Sequence, residues 1–297
     1  MKIQFYNRYT DEIETEVVYG EKWLRWTYES LPGRAALYAL AKRAWFSRLY
    51  GWRMSRPGSR ERVAPFVEKY GLEAGEFDEL DSFGSFNEFF YRKLKPGARP
   101  IDQNEDSIVF PADGRHLGFP NLAECEGFFV KGQKLDLANL LGSTGLAERY
   151  QNGSAVLSRL CPVDYHRFHF CADGTPGEPR LINGPLYSVS PIALRRNLSY
   201  LAENKRVLTE HQTERFGTVL ILEIGATNVG SIKQSFTPQQ LLAKGDEKGW
   251  FEFGGSATMT LFEPGQIQLA DDLIEHSSQQ RETYAKMGDR MGMKNNA

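Results

Sequence analysis

Residues 216–232 read FGTVLILEIGATNVGSI. The run from Thr218 to Ile224 is short, apolar and closed on both sides by glycine, which predicts a strand. The same signature recurs after Pro100. IVF at 108–110, GFFVKG at 127–132, AVLSRL at 155–160, WFEF at 250–253 and ATMTLF at 257–262 each predict a strand. Dense Gly, Pro and Asn punctuation separates them. Helices are expected at 135–149 and near 193–202. The polar tail 276–297 ends in KNNA and is expected to fray.

Before Pro100 the pattern is helical. ERVAPFVEKYGL at 61–72 predicts a helix kinked or started near Pro65 and stopped at Gly71. SFNEFFYRKL at 85–94 predicts another, with Ser85 as N-cap three residues before Glu88. KPGARP at 95–100 is a turn or linker and marks a boundary. The expected class is therefore α+β, with N-terminal amphipathic helices over 1–99 and a mostly antiparallel β-rich domain over 100–297. Strand order does not follow from these patterns.

A chain of 297 residues buries a sizeable core without help from metals or disulfides. Hydrophobic residues at 41% and charged residues at 25% exclude a disordered or collagen-like chain. A net charge of −2 excludes a polycation, so no nucleic-acid partner is expected. Cys125, Cys161 and Cys171 form an odd set with no CxxC pair, which excludes a disulfide framework and points to a reducing compartment. The first residues lack a secretory-signal pattern, and no apolar run reaches about 18 residues. The expected address is cytosolic, with peripheral membrane contact left open.

Charge is unevenly spread. Residues 22–62 hold ten Lys and Arg against Glu29 and Glu61 alone. The same stretch holds Trp23, Trp26, Trp45 and Trp52. Aromatic and cationic residues around short helices have the composition of an interfacial anchor. They equally suit a helical cap that packs its rings on the core.

Five histidines exist, and His166 and His169 fall within DYHRFH at 164–169. With Asp164 beside them they are candidates for acid–base work near neutral pH. A buried polar cluster is the plainer reading. Zinc is a weak one, because the spacing of Cys161, His166, His169 and Cys171 matches no common site. Asp113 in PADG at 111–114 and Ser256 in FGGSATMTLF at 253–262 are the other candidates. Taken singly, PADG is also an ordinary turn, and FGGSATMTLF is also a hairpin turn with a bulge.

Together these motifs resemble phosphatidylserine decarboxylase proenzymes. FFYRKLKPGARPI, PADGRHLG, VKGQKLDLANLLG, CPVDYHRFHF, GPLYSVSPIAL, FGTVLILEIGATNVGSI and KGDEKGWFEFGGS stand in the family's order, from about Ser85 to about Glu263. The resemblance implies self-cleavage between Gly255 and Ser256 into chains 1–255 and 256–297. Ser256 then becomes a covalent pyruvoyl group, with His169 as the base and Asp113 orienting it. His166, partnered by Asp164, is the candidate for returning a proton to the substrate α-carbon. The implied reaction converts phosphatidylserine to phosphatidylethanolamine and CO₂, with no external cofactor or metal. An anionic two-chain lipid does not leave the bilayer cheaply. Trp23, Trp26, Trp45 and Trp52 are accordingly expected to contact an anionic membrane surface, peripherally and on the cytoplasmic side. The two fragments are expected to stay paired and to form a homodimer. Arg195 and Arg196 are candidates for the substrate phosphate.

Gly255-Ser256-Ala257 departs from the family's Gly-Ser-Thr or Gly-Ser-Ser, and Ala257 removes a hydroxyl able to assist cleavage. LGST at 141–144 imitates the signature but lies in a helical segment ahead of the histidines, so Ser143 is rejected. Two rivals stay open on sequence: a pyruvoyl decarboxylase of a soluble amino acid, and an Asp-His-Ser serine hydrolase. A non-catalytic membrane-binding module is a third.

Overall fold

The computed structural model describes residues 3–124, 135–227, 231–254 and 256–296. Cys125, Gly255 and the strand expected at 127–132 lie outside the described residues.

The frame is a ten-stranded sheet. Its order is β2 (Glu12–Thr15), β1 (Gln4–Asn7), β15 (Glu282–Ala285), β4 (Gly114–Phe119), β5 (Ser154–Leu160), β13 (Ser256–Phe262), β10 (Thr218–Ile224), β9 (Arg206–Gln212) and β7 (Thr175–Pro176). β8 (Arg180–Ile182) also pairs with β9. The β1–β15 pair is parallel and the other pairs are antiparallel. Two three-stranded sheets complete the β structure: β11 (Ile232–Gln234), β12 (Glu247–Phe251) and β6 (Arg167–His169), then β14 (Ile267–Leu269), β16 (Arg290–Lys294) and β3 (Ser107–Val109). This is the expected α+β class.

Strand alternation sorts the core. Ala257, Met259 and Leu261 project with Leu220, Leu222 and Ile224 into one apolar cluster. That cluster is roofed by α6 (Leu137–Leu141), α7 (Thr144–Tyr150), α8 (Pro191–Leu194) and α9 (Ser199–Glu203). Val156, Val219, Ile221 and Phe262 project the other way, onto Ile108, Met291 and Leu273 of α10 (Asp271–Ser278).

The front carries α1 (Glu21–Glu29), α2 (Leu31–Ala36), α3 (Ala44–Met54), α4 (Val63–Tyr70) and α5 (Phe86–Phe90). α4 stops at Gly71, which takes φ 62°. Ser85 caps α5 by accepting from the Glu88 N–H at 3.1 Å, and the Glu88 carboxylate accepts from the Gly84 N–H at 2.7 Å. The Ser85 half of the Ser-x-x-Glu capping box is formed, while Glu88 bonds the N–H one residue ahead of the cap. Phe66, Phe77, Phe83, Phe86, Phe89 and Phe90 then pack around Phe253, so the helical front grips the segment that leads into Ser256.

Four expectations are corrected. The front is not wholly helical, because β1 and β2 extend the large sheet; both strands are too short and too polar to show alternation. The tail does not fray: β15 lies inside the large sheet, between β1 and β4. Its Glu282 accepts from Arg159 at 2.6 Å. The helix expected over 135–149 is two helices, broken at Gly142, with Ser143 capping α7 through the Leu146 N–H at 3.2 Å. The turn before Ser256 is no hairpin, because β12 belongs to a small sheet and β13 to the large one.

Candidate active site

Ser256 opens β13, a central strand paired with both β5 and β10. Its hydroxyl is fully buried and has no hydrogen-bond partner among the described residues. A buried hydroxyl left unsatisfied costs about 1–3 kcal/mol, so it calls for an explanation. Gly254 supplies a second irregularity, with φ 137°, a region that side-chain-bearing residues avoid.

His166 lies against this segment. Its ring stacks on Phe90 at 3.9 Å between centroids, and Phe90 packs on Phe253 at 4.8 Å. The His166 carbonyl accepts from the Phe251 N–H at 2.9 Å. Nδ1 donates to the Asp164 carbonyl at 3.0 Å, which leaves the lone pair on Nε2. Nε2 makes no well-formed hydrogen bond among the described residues. Burial pushes the ring's pKa down to about 3, although the Asp164 carbonyl and the nearby Gly254 backbone favour its cation.

His169 is held twice. Nδ1 donates to the Gly245 carbonyl at 2.9 Å, and the Tyr165 hydroxyl donates to Nε2 at 3.2 Å. Burial lowers its pKa against the opposing pull of the Gly245 carbonyl and the Glu247 and Asp113 charges. The outcome is a neutral ring with its basic nitrogen on Nε2, the tautomer a general base needs.

Asp113 does not bond to His169. Its carboxylate takes a forked contact from Arg99 at 2.6–3.0 Å and a hydrogen bond from the Met287 N–H at 2.9 Å. Arg99 in turn holds Glu76 at 2.8 Å. The ring of His169 is thus oriented by Gly245 and Tyr165, with Asp113 acting only as a nearby charge. Asp164 also departs from expectation. Its carboxylate accepts from Arg115 at 2.7 Å and from the Cys161 N–H at 2.6 Å, and only its backbone carbonyl meets His166. Burial raises its pKa in spite of Arg115.

Sequence reasoning missed Arg99, Tyr165 and a second buried charge cluster. Arg99 stands in the quoted KPGARP motif, and Tyr165 lies between Asp164 and His166, four residues before His169. In the cluster, Arg159 bridges Glu16 at 2.5 Å and Glu282 at 2.6 Å. No local spacing announces it, because its members come from distant strands. The remaining histidines are bound elsewhere: His116 to Ser158 and the Ala285 carbonyl, and His211 to the Ala172 carbonyl. His276 stacks on Tyr6.

The class defined by this fold and these motifs is that of a decarboxylase precursor, and comparison with known proteins agrees. The family model described as phosphatidylserine decarboxylase matches residues 86–293. The chain is 46% identical to the phosphatidylserine decarboxylase proenzyme of Chlamydia caviae, over 98% of each chain. It is 43% identical to that of Fusobacterium nucleatum over 99% of each, and 41% identical to that of Desulfitobacterium hafniense over 98% of each. The chain belongs to the phosphatidylserine decarboxylase family.

Proposed function

We propose that this chain cuts itself before Ser256, converts that residue to a pyruvoyl group and decarboxylates phosphatidylserine at a membrane surface. The observation that carries the reading is the buried, unpartnered Ser256 hydroxyl, set two residues after Gly254 at φ 137°. A hydrolase nucleophile must meet an outside substrate, whereas Ser256 is 0% exposed in the uncut chain. A serine that attacks its own backbone has no such need.

His169 takes the hydroxyl proton through Nε2, and Oγ attacks the Gly255 carbonyl carbon. The Gly255–Ser256 amide becomes an ester as the Ser256 nitrogen gains a proton. Loss of the Ser256 α-proton expels the Gly255 carboxylate, and water then replaces the nitrogen as ammonia. The pyruvoyl group supplies a carbonyl that accepts the electrons released with CO₂. The orphaned hydroxyl and the two neutral histidines fit that group. In this reading His166 first takes up a proton on Nε2, which makes no well-formed hydrogen bond among the described residues of the uncut chain, and passes it to the substrate α-carbon.

The experiment is intact mass analysis of purified protein, followed by incubation with phosphatidylserine vesicles. Two chains, 1–255 and 256–297, together with CO₂ and phosphatidylethanolamine, are the expected result. A single uncut mass removes the reading, and CO₂ release from free amino acids alone replaces the substrate. His166→Ala is expected to cut normally and lose at least about a hundredfold in decarboxylation, the usual scale of a lost acid–base group. If it stays uncut, the division of roles between the histidines is wrong.

Membrane contact draws support from the surface. Among the described residues, eight of the fourteen large exposed apolar side chains lie between Trp23 and Trp52. On α3, Trp45, Leu49 and Trp52 share one exposed face, while Ser47 and Met54 turn inward. Leu37 and Tyr28 pack in the core, so the front both caps the sheet and leaves its tryptophans outside. No helix among the described residues is long and apolar enough to cross a membrane. Replacing all four tryptophans with serine is expected to abolish co-sedimentation with anionic liposomes while self-cleavage continues. Unchanged sedimentation defeats the assignment. A homodimer of processed units completes the proposal.

A further inference from the structure

The nitrogen that would take the Ser256 proton is already engaged, and the group engaging it is a tyrosine. The chain path delivers Tyr165 to this place. β5 ends at Leu160, directly opposite Ser256 in the large sheet. The backbone then turns through 161–166 and enters β6 at Arg167. That turn is held twice: the Asp164 N–H donates to the Cys161 carbonyl at 2.8 Å, and the Asp164 carboxylate accepts from the Cys161 N–H at 2.6 Å. One loop thus leaves the strand partner of Ser256 and arrives at His169, with Tyr165 four residues before the histidine. The Tyr165 ring is 5% exposed and lies 5.7 Å from the imidazole between centroids.

Both ring nitrogens of His169 are used without Ser256. The Gly245 carbonyl can only accept, so Nδ1 carries the proton of the neutral ring. Nε2 then has a single lone pair, and the Tyr165 hydroxyl, 3.2 Å away, donates to it. Burial pushes the Tyr165 phenol's pKa up, so the hydroxyl keeps its proton and remains a donor. Ser256 Oγ has no partner among the described residues, so it bonds neither to the imidazole nor to Tyr165. A relay, in which Tyr165 gives its proton to Nε2 and takes one from Ser256, needs the second of those bonds. Three charges act on the ring. Glu247 stands opposite His169 on β12, Asp113 follows β3, and Arg167 lies two residues earlier on β6. The two acids favour the cation, while burial and Arg167 favour the neutral ring. The Tyr165 hydrogen bond sides with burial, because it exists only when Nε2 is unprotonated.

We propose that Tyr165 is a positioning residue that restrains self-cleavage. It keeps the His169 ring in the tautomer a base needs and at the same time caps Nε2, and cutting starts when this hydrogen bond is exchanged for one from Ser256. The inference rests on the proposed self-cleavage. No covalent bond changes in the exchange: the Tyr165 hydroxyl leaves Nε2 with its own proton, and the Ser256 hydroxyl takes its place as donor. The Ser256 proton moves to Nε2 only afterwards, as Oγ attacks. Removing the tyrosine hydroxyl removes the bond that has to be broken first. The rate should then rise by roughly two- to tenfold, the scale of one neutral hydrogen bond.

The test times cutting of the full chain by pulse–chase in cell-free translation, with the products weighed intact. Tyr165→Phe deletes one oxygen and keeps the ring. It is expected to cut roughly two- to tenfold faster than the wild type at a pH above the pKa of His169. A second readout does not depend on cutting: NMR titration of the His169 ring in the uncut Ser256→Ala chain, with and without Tyr165→Phe. The His169 pKa is expected to rise in the doubly substituted chain, because the bond that favours the neutral ring is gone. The pH midpoint of the cutting rate should rise with it, a shift that loosened packing alone does not produce. Tyr165→Leu, which lacks the same hydroxyl, takes the place of Tyr165→Phe if the latter does not fold. Slower cutting in the variant overturns the restraint and makes Tyr165 a proton relay. An unchanged cutting rate overturns it as well, and so does an unchanged His169 titration. A wild-type chain that never cuts removes the self-cleavage reading, which is a separate result, since the two titration curves still show whether Tyr165 holds Nε2.

Discussion

Ser256→Ala is expected to yield one full-length chain, with no fragment of residues 256–297 and no detectable decarboxylation. The substitution removes a single oxygen from a buried position that already lacks a hydrogen-bond partner. Folding should therefore be undisturbed or slightly improved, because no donor or acceptor is stranded by the change. The loss is confined to chemistry and is total, since no other atom at 256 can form the ester. Trapping with an amine and borohydride should label the wild-type fragment and leave the variant unlabelled. A Ser256→Ala preparation that still splits at this linkage would remove the central role of the residue. His169→Ala is the companion case. It leaves the Gly245 carbonyl and the Tyr165 hydroxyl without their shared partner, and should slow cutting by at least about a hundredfold at neutral pH.

Much of this arrangement was legible because it rests on local chemistry. TVLILEI became β10 with the expected ends, and ATMTLF became β13 once Ser256 was added. Ser85 and Glu88 announced a helix start through spacing alone, and in the structure the Ser85 hydroxyl caps the Glu88 N–H. Ser143, refused on sequence, caps α7 with its side chain. What stayed hidden was long-range pairing. Nothing in QFYN at 4–7 says that it will lie parallel to ETYA at 282–285, because four half-polar residues carry no period. The partners of Asp113 were hidden for the same reason. A His-Asp pair is the obvious reading of two titratable motifs, but Arg99 lies closer and offers a planar fork that suits a carboxylate.

The departure at Ala257 also looks different in three dimensions. Alternation along β13 turns its side chain into the apolar cluster with Ile224, on the face opposite Ser256. A hydroxyl at 257 would enter that apolar layer instead of standing beside the nucleophile. Arg195 and Arg196 stand out in sequence as a cationic pair, and they follow α8, whose Leu194 packs in the same cluster as Ala257, on the face opposite Ser256.

Removing Arg159 is expected to have the largest effect on stability. Its guanidinium joins Glu282, in the segment that the proposed cleavage would separate, to Glu16 just after β2, and all three are nearly buried. Stranding buried carboxylates by deleting their partner costs about 3–5 kcal/mol. Arg159→Met should therefore unfold at markedly lower urea concentration, measured in the Ser256→Ala background so that one chain is compared with one chain. In cut protein the same change should let the fragment 256–297 separate during gel filtration. The pH dependence gives a sharper test. Burial alone would raise the Glu16 carboxyl, but Arg159 overrides it and holds the pKa at about 2 against an ordinary 4.5. A depressed folded pKa contributes stability above the ordinary value and loses it as pH falls toward the folded one. Wild-type stability from this group should thus fall between about pH 4.5 and about pH 2. In Arg159→Met only Arg115, 3.7 Å away, still opposes burial at Glu16, so the depression of that carboxyl shrinks. That variant should lose less stability than the wild type as pH falls from about 4.5 toward about 2. Asp164, raised by burial beside Arg115, contributes alike to both proteins and cancels in the difference. Parallel stability curves for the two proteins across this range would show that Arg159 does not govern the cluster, and that the fragment is retained by the sheet alone.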